Sequence, residues 1–151
     1  MEQIKFPPDF SEFLKSLTDH EVEFLLVGGF AVAIHGYPRA TADMDVWIAR
    51  NHENAARVVA ALRAFGFDVP GLAAEMFEQT DRVVRMGEPP NRIELLTDID
   101  GVAFDSCSRR SEITYVDGVP VPVISLSDLK INKRACGRPK DLDDLENLPP
   151  D

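Results

Sequence analysis

Hydrophobic and polar positions along the chain change period several times, and each change predicts a new element. Phe10, Phe13, Leu14 and Leu17 recur at helical spacing, and Asp9 with Glu12 three residues later reads as a capping box that opens this first helix. Val22 to Val27 is a short apolar run stopped by Gly28-Gly29, the pattern of a buried strand. Phe30 to His35 then reads as a short helix closed by Gly36 and Pro38. From Ala42 to Ala49 the period falls to two, so Met44, Val46 and Ile48 face one way while Asp43, Asp45 and Trp47 face the other. Asn51 caps the next helix, in which Ala55, Val58, Val59, Leu62 and Phe65 share a face before Gly66 ends it.

The second half continues in shorter pieces. Leu72 to Gln79 reads as a short helix, and Arg82 to Met86 and Arg92 to Leu96 as two strands joined by the loop GEPPN. Ile113 to Val116 and Val119 to Ile124 form a hairpin through Asp117-Gly118, with Pro120 and Pro122 marking an edge strand. A helix from about Ser127 breaks near Gly137-Arg138-Pro139, and a final helix runs from Asp141 to Leu148. Helices and strands are mixed rather than strictly alternating, and no repeat or low-complexity tract interrupts them. The expectation is one α+β domain over residues 1–151.

Composition narrows the picture. No apolar run approaches the roughly 20 residues of a membrane span, and the N-terminus lacks the features of a signal peptide. A cytoplasmic protein with no membrane partner is therefore expected. Cys107 and Cys136 lack metal-type spacing and read as ordinary reduced thiols. A net charge of −10 argues against a broad basic footprint for nucleic acid, so a polyanionic substrate would need cations or a focused Arg/Lys cluster at its point of contact.

The candidate chemistry lies in one spacing. Gly28-Gly29 ends a strand, thirteen residues intervene, and Asp43-Met44-Asp45 begins the next. Glycines at a strand-to-helix turn let backbone N–H groups approach an anion, and the following helix adds its positive end. Carboxylates at i and i+2 project from one strand face and repel unless a cation lies between them; Mg²⁺, with Mn²⁺ as the alternative, suits such oxygens and is commonly shared with phosphates. The two features together are the equipment of metal-assisted phosphoryl chemistry. Arg39, just before the acidic strand and beside the glycine turn, is either a plain loop arginine or a cation that neutralises a triphosphate or departing pyrophosphate, and the second is favoured. Thr41 could contact the same phosphates or simply start a strand. His35 and Trp47 read as a structural histidine and a packed aromatic.

The string Val27-Gly28-Gly29, thirteen residues, Asp43-Met44-Asp45-Val46 resembles the signature of the DNA-polymerase-β-like nucleotidyltransferase superfamily. With Arg39, Thr41, Asp43 and Asp45 matching an Arg-x-Thr-x-Asp-x-Asp pattern, the stretch looks most like the abortive-infection-type nucleotidyltransferases of toxin–antitoxin systems. The closing segment SLSDLKINKRACGRPKDLDDLENL also resembles small members of that group. The resemblance implies a polymerase-β-like fold, a small mixed sheet with helices packed mainly on one face. It implies an NTP as substrate and a third metal-binding carboxylate from a later strand. Glu94, flanked by hydrophobic residues, is favoured for that place over Asp98 and Asp100, which fall in the turn-like TDIDG. It also implies a helix-borne lysine on the nucleotide phosphates, and Lys130 and Lys133 are equal candidates. The nucleotide-binding set is then Gly28, Gly29, Arg39, Thr41, Lys130 and Lys133, with Asp43, Asp45 and Glu94 as catalytic metal ligands. The acceptor implied is a tRNA end or a protein side chain, in a toxin with a possible antitoxin partner. An antibiotic-modifying enzyme with a small-molecule acceptor is the alternative, and a non-catalytic nucleotide-binding or antitoxin-like module is a third reading.

Overall fold

The computed structural model describes residues 6–41 and 43–151. Its centre is a six-stranded mixed sheet in the order β3-β4-β2-β1-β6-β5. The strands are β1 (Phe24–Val27), β2 (Asp43–Ile48), β3 (Val83–Met86), β4 (Arg92–Leu96), β5 (Glu112–Val116) and β6 (Val119–Val123). The helices are α1 (Pro8–Asp19), α2 (Gly28–Ile34), α3 (His52–Phe65), α4 (Phe104–Arg109), α5 (Leu126–Cys136) and α6 (Pro139–Asn147). Among the described residues no helix is long and apolar enough to cross a membrane.

Most expected elements form, but several begin elsewhere, for local reasons. α1 starts at Pro8 with Pro7 as its N-cap, so Asp9 lies inside the first turn rather than capping it. A proline at the first helical position is preorganised and needs no amide partner, which moves the start forward by two residues. The first strand is shorter than Val22 to Val27: its ladder begins at Phe24, because the Glu23 amide donates to Asn54 Oδ1 and the Asn54 amide donates to the Glu23 carbonyl. α2 begins at Gly28, within the glycine pair itself. Ala42 lies outside the described residues. Asn51 caps α3 as expected, accepting from the Asn54 amide, and Gly66 closes it in the left-handed region.

Residues 72–79 contain only a 3-10 turn, Ala74–Phe77, whose one fully buried side chain is Phe77. Too short an apolar stripe leaves an α-helix there nothing to pack. α4 was not legible in the hydrophobic pattern; its Phe104 packs edge-to-face on Trp47, with ring centres 5.1 Å apart. α5 starts at Leu126, capped by Ser125, and α6 runs from Pro139 to Asn147.

The proline-bearing strand is not at the edge. β6 lies between β1 and β5, and β5 takes the edge. The Ile124 amide donates to the Leu26 carbonyl, so by alternation the nitrogens of Pro122 and Pro120 also point toward β1. They have no hydrogen to offer, and the β1–β6 pairing is accordingly confined to Leu26↔Val123.

The core is the apolar side of β1 and β2 with the helical layer. Met44, Val46 and Ile48 are fully buried, α1 and α3 pack on each other with Phe13 edge-to-face on Phe65, and α1 reaches α2 through Phe10 and Phe30. The opposite face of β2 is covered by α4 only at Trp47. Asp43 and Asp45, further along the strand, remain over an open cavity.

Candidate active site

β1 runs antiparallel to β2, and β2 parallel to β4, which fixes the carboxylates across three strands. Asp45 stands opposite Val27 on one side and Glu94 on the other, while Asp43 stands opposite Arg92. Val27 is the last residue before the glycine turn, so the sheet register itself sets Asp45 against Gly28. The approach is close: a Cβ on Gly28 would lie 2.1 Å from Asp45 Oδ2, and Gly28 has φ +67°. Only glycine fits there, for both reasons. Gly29 is similarly crowded, since a Cβ would meet Thr41 Oγ1 at 2.6 Å. Thr41 donates to the Asp43 carbonyl at 3.2 Å, tying the glycine turn to the start of β2.

Asp45 is the electrostatic extreme of the molecule. Burial, then the adjacent Glu94 carboxylate and Asp43, push its pKa up to about 7, and Lys140 offsets this only in part. Its Oδ1 is buried without any hydrogen-bond partner. Asp43 and Glu94 are better provided. Arg92 donates to both Asp43 oxygens, Nε to Oδ1 at 3.2 Å and Nη2 to Oδ2 at 2.7 Å, and its Nη2 lies 3.5 Å from Glu94 Oε1. Arg85 donates to the same Glu94 oxygen at 3.1 Å. The three acids therefore repel as their spacing predicts, and a basic side chain, Arg92, stands among them.

The donor set suits a hard divalent cation: three carboxylates, one with a buried oxygen that no protein group satisfies. Among the described residues no three His, Cys, Asp or Glu side chains already converge as a finished cage.

The cavity over these acids has a volume of about 530 Å³ and is lined by Gly28, Gly29, Thr41, Asp43 and Asp45 on the sheet side. Arg39, whose Nη1 would lie 3.4 Å from a Cβ on Gly29, lines it as well, as do Lys133, Arg138 and Lys140. Arg39 and Lys133 were expected, Lys140 was a weaker candidate from the sequence, and Arg138 was not expected. Their positions follow from a buried network. Arg39 makes a two-pronged bond to Asp144, Nε to Oδ1 at 2.6 Å and Nη2 to Oδ2 at 2.9 Å. Lys133 Nζ reaches Asp144 at 2.9 Å and Asp141 at 3.1 Å, and Arg138 Nε donates to Asp141 at 2.7 Å. Burial by itself raises the pKa of Asp144, but the bonds from Arg39 and Lys133 outweigh it and hold the carboxyl below the ordinary aspartate range. Asp141 is held low the same way, by Arg138 and Lys133. Asp141 also accepts the Arg138 amide and so caps α6.

Lys130 parts company with Lys133. It is buried, donates to the Pro149 carbonyl and pairs with Asp151, outside the cavity. Positions three apart on α5 do not share one basic face here, because the C-terminal tail takes one side chain and α6 the other. Glu94 abuts Asp45 but does not line the cavity wall; Asp98 and Asp100 do. Asp98 accepts the Asp81 amide at 2.7 Å, a turn contact. His35 Nε2 lies 2.7 Å from the Ile124 carbonyl and Trp47 is buried, both in structural roles. Arg92 escaped the sequence reading. Its one signal is its position next but one to Glu94 on the same strand face.

This arrangement of sheet, glycine turn and carboxylate strand is a fold shared with solved nucleotidyltransferase structures. TM1012 of Thermotoga maritima, a candidate nucleotidyltransferase, shares it with a TM-score of 0.58 and 16% identity over 91% of this chain and 88% of that one. ANT(2'')-Ia, solved in complex with adenylyl-2''-tobramycin, gives 0.52 and 12% over 91% and 83%. An antigenic nucleotidyltransferase-like protein from Paracoccidioides brasiliensis gives 0.54 and 20% over 91% and 72%. No protein-family model matches the chain, and no curated protein does.

Proposed function

We propose that this protein transfers a nucleoside monophosphate from an NTP to an acceptor hydroxyl. The acceptor oxygen forms a bond to the α-phosphorus, the bond to the bridging oxygen breaks, and pyrophosphate leaves with that electron pair. The observation that carries the reading is Asp45: wedged between the Gly28 turn and Glu94, with a pKa near 7 and one buried, unsatisfied oxygen.

Asp43, Asp45 and Glu94 would hold Mg²⁺ or Mn²⁺, which supplies an acceptor hydroxyl of lowered pKa and neutralises charge on the phosphates. Gly28 and Gly29 present the start of α2 to the triphosphate without side chains in the way. Arg39, beside Gly29, and Lys133, Arg138 and Lys140 line the same cavity and would neutralise charge on the leaving pyrophosphate. Arg92 has to yield at least one Asp43 oxygen before Asp43 serves a cation.

For the acceptor, a small cationic molecule is favoured over a tRNA end. The chain carries −10 overall, Asp98 and Asp100 line the cavity, and the similar fold of ANT(2'')-Ia was solved with an adenylylated tobramycin. A protein side chain, and a toxin role with an antitoxin partner, rest on the sequence resemblance.

The test is incubation with each α-labelled NTP and Mg²⁺, in parallel with an aminoglycoside panel, total tRNA and cell protein. Label transfer is expected with one acceptor class. It should fall on the order of 1,000-fold or more in the Asp43→Ala/Asp45→Ala double variant. Transfer that survives the double substitution overturns the site. An NTP-dependent rise in melting temperature without transfer to any acceptor would instead identify a nucleotide-binding module.

A further inference from the structure

The outer edge of β5 lacks the usual guards of a terminal strand. Glu112-Ile113-Thr114-Tyr115-Val116 contains no lysine and no proline, and its unbroken register with β6 contains no bulge. Its hydrogen-bonding direction follows from its neighbour. The Ile124 amide points toward β1, so by alternation the amides of Val119, Val121 and Val123 point toward β5. Their register partners Val116, Thr114 and Glu112 are then the residues that exchange bonds with β6. Ile113 and Tyr115 are left with their backbone N–H and C=O groups directed outward.

Those two residues are also exposed apolar side chains, Ile113 at 56% and Tyr115 at 72%. They project from one face of β5, opposite the buried Val116, and they neighbour Pro122 and Pro120 across β6. Among the described residues the edge thus combines unpaired backbone groups with an apolar strip.

We propose that this edge pairs with the same edge of a second copy of the chain, antiparallel, about a two-fold axis at Thr114. The occupant is chosen by self-complementarity. With the axis at Thr114, Ile113 of each copy faces Tyr115 of the other, and each pair exchanges both backbone hydrogen bonds, about four in all. Glu112 faces Val116 rather than another acid. Asp117 comes to the end of the strand where Arg109 of the other copy lies, Arg110 being bonded to Asp128 of its own chain. Other registers are worse. An axis at Ile113 sets Tyr115 against Ser111, and an axis at Tyr115 sets Asp117 against Ile113. For two chains of net charge −10 to approach, such local charge matching matters. The pairing joins two six-stranded sheets into one and leaves β2 and β4, which carry the acids, away from the seam. Because the strand has only five residues, the dimer is weak and its dissociation constant lies in roughly the micromolar range.

Sedimentation equilibrium of the full chain from about 1 to about 200 µM tests this, with a monomer–dimer equilibrium expected. The Ile113→Lys/Tyr115→Lys variant should raise the dissociation constant at least about tenfold while its circular dichroism and melting temperature stay those of the parent. In a Cys136→Ser background, Thr114→Cys should form an intermolecular disulfide under mild oxidation. Antiparallel residues in a non-hydrogen-bonded pair have Cα atoms about 4.5 Å apart, within disulfide reach. A parent protein that stays monomeric throughout, a dimer that the two lysines leave intact, or a Thr114→Cys protein that does not cross-link each overturns the proposal. So does a monomeric parent whose edge is protected only by a different protein.

Discussion

On β2 and β4, Asp43, Asp45 and Glu94 stand side by side with Arg92 and Arg85 reaching two of them. At the junction of α5 and α6, Asp141 and Asp144 stand among Arg39, Lys133 and Arg138. Both border the same cavity, and Asp45 in the first titrates in the opposite direction from Asp141 and Asp144 in the second. Asp45 is pushed up to about 7 because burial and neighbouring acids both disfavour its charge. Asp141 and Asp144 feel burial too, but cations outweigh it and hold them low. The helix-junction cluster is complete in itself, with every acid bonded. In the sheet cluster Asp45 Oδ1 is left without a hydrogen-bond partner. The same residue types thus give balanced acids at the helix junction and an unbalanced one on the sheet, and the unbalanced acid is the one on which the proposed transfer rests.

The sharpest way to break the comparison is to unbalance the completed cluster. Asp144→Ala leaves Arg39 and Lys133 facing a buried void, and unfolding in urea should show a loss of about 3 to 5 kcal/mol. A loss under about 1 kcal/mol would mean the network is no more committed than a surface pair.

Asp45→Asn should do the reverse in metal-free protein, raising stability at pH 8 by about 2 kcal/mol while abolishing transfer. The pH dependence has a defined sign. Asp45 has a folded pKa of about 7 against an ordinary 3.8, so the folded state holds more protons between those values. Its contribution to stability is greatest below the unfolded pKa and fades as pH rises toward 7. Thermal melts of the parent and Asp45→Asn proteins should coincide near pH 4 and separate by pH 8. Added Mg²⁺ should close that gap, and a gap that magnesium leaves untouched would count against Asp45 as a ligand.

The smallest effects come from the two lysines of α5. Lys133→Met should weaken NTP binding on the order of tenfold, whereas Lys130→Met should change it less than about twofold. Titration calorimetry with a non-hydrolysable NTP distinguishes them, and equal losses would put Lys130 back in the cavity.

Much of this architecture was legible in one dimension. The glycine pair, the thirteen-residue spacer and the alternating Asp43-Met44-Asp45 strand predicted adjacent elements with acids on one face. That works because strand alternation and the steric freedom of glycine are local properties that neighbours cannot reverse. Gly28 against Asp45 is their three-dimensional consequence. The α+β class followed equally from changes of hydrophobic period.

What only the folded molecule decided depends on partners distant in sequence. Arg39 meets Asp144 across 105 residues, and Arg92 meets Asp43 across 49. Lys130 and Lys133, indistinguishable on a helical wheel, part because one neighbour is the C-terminal tail and the other is α6. The place of β6 inside the sheet was hidden because prolines report only a missing amide donor, and the sheet accommodates that loss by pairing β6 with β1 at a single position. Local chemistry therefore set which elements form and which face bears the acids. The tertiary arrangement set the charge each acid experiences, because that depends on desolvation and on cations brought in from elsewhere in the chain.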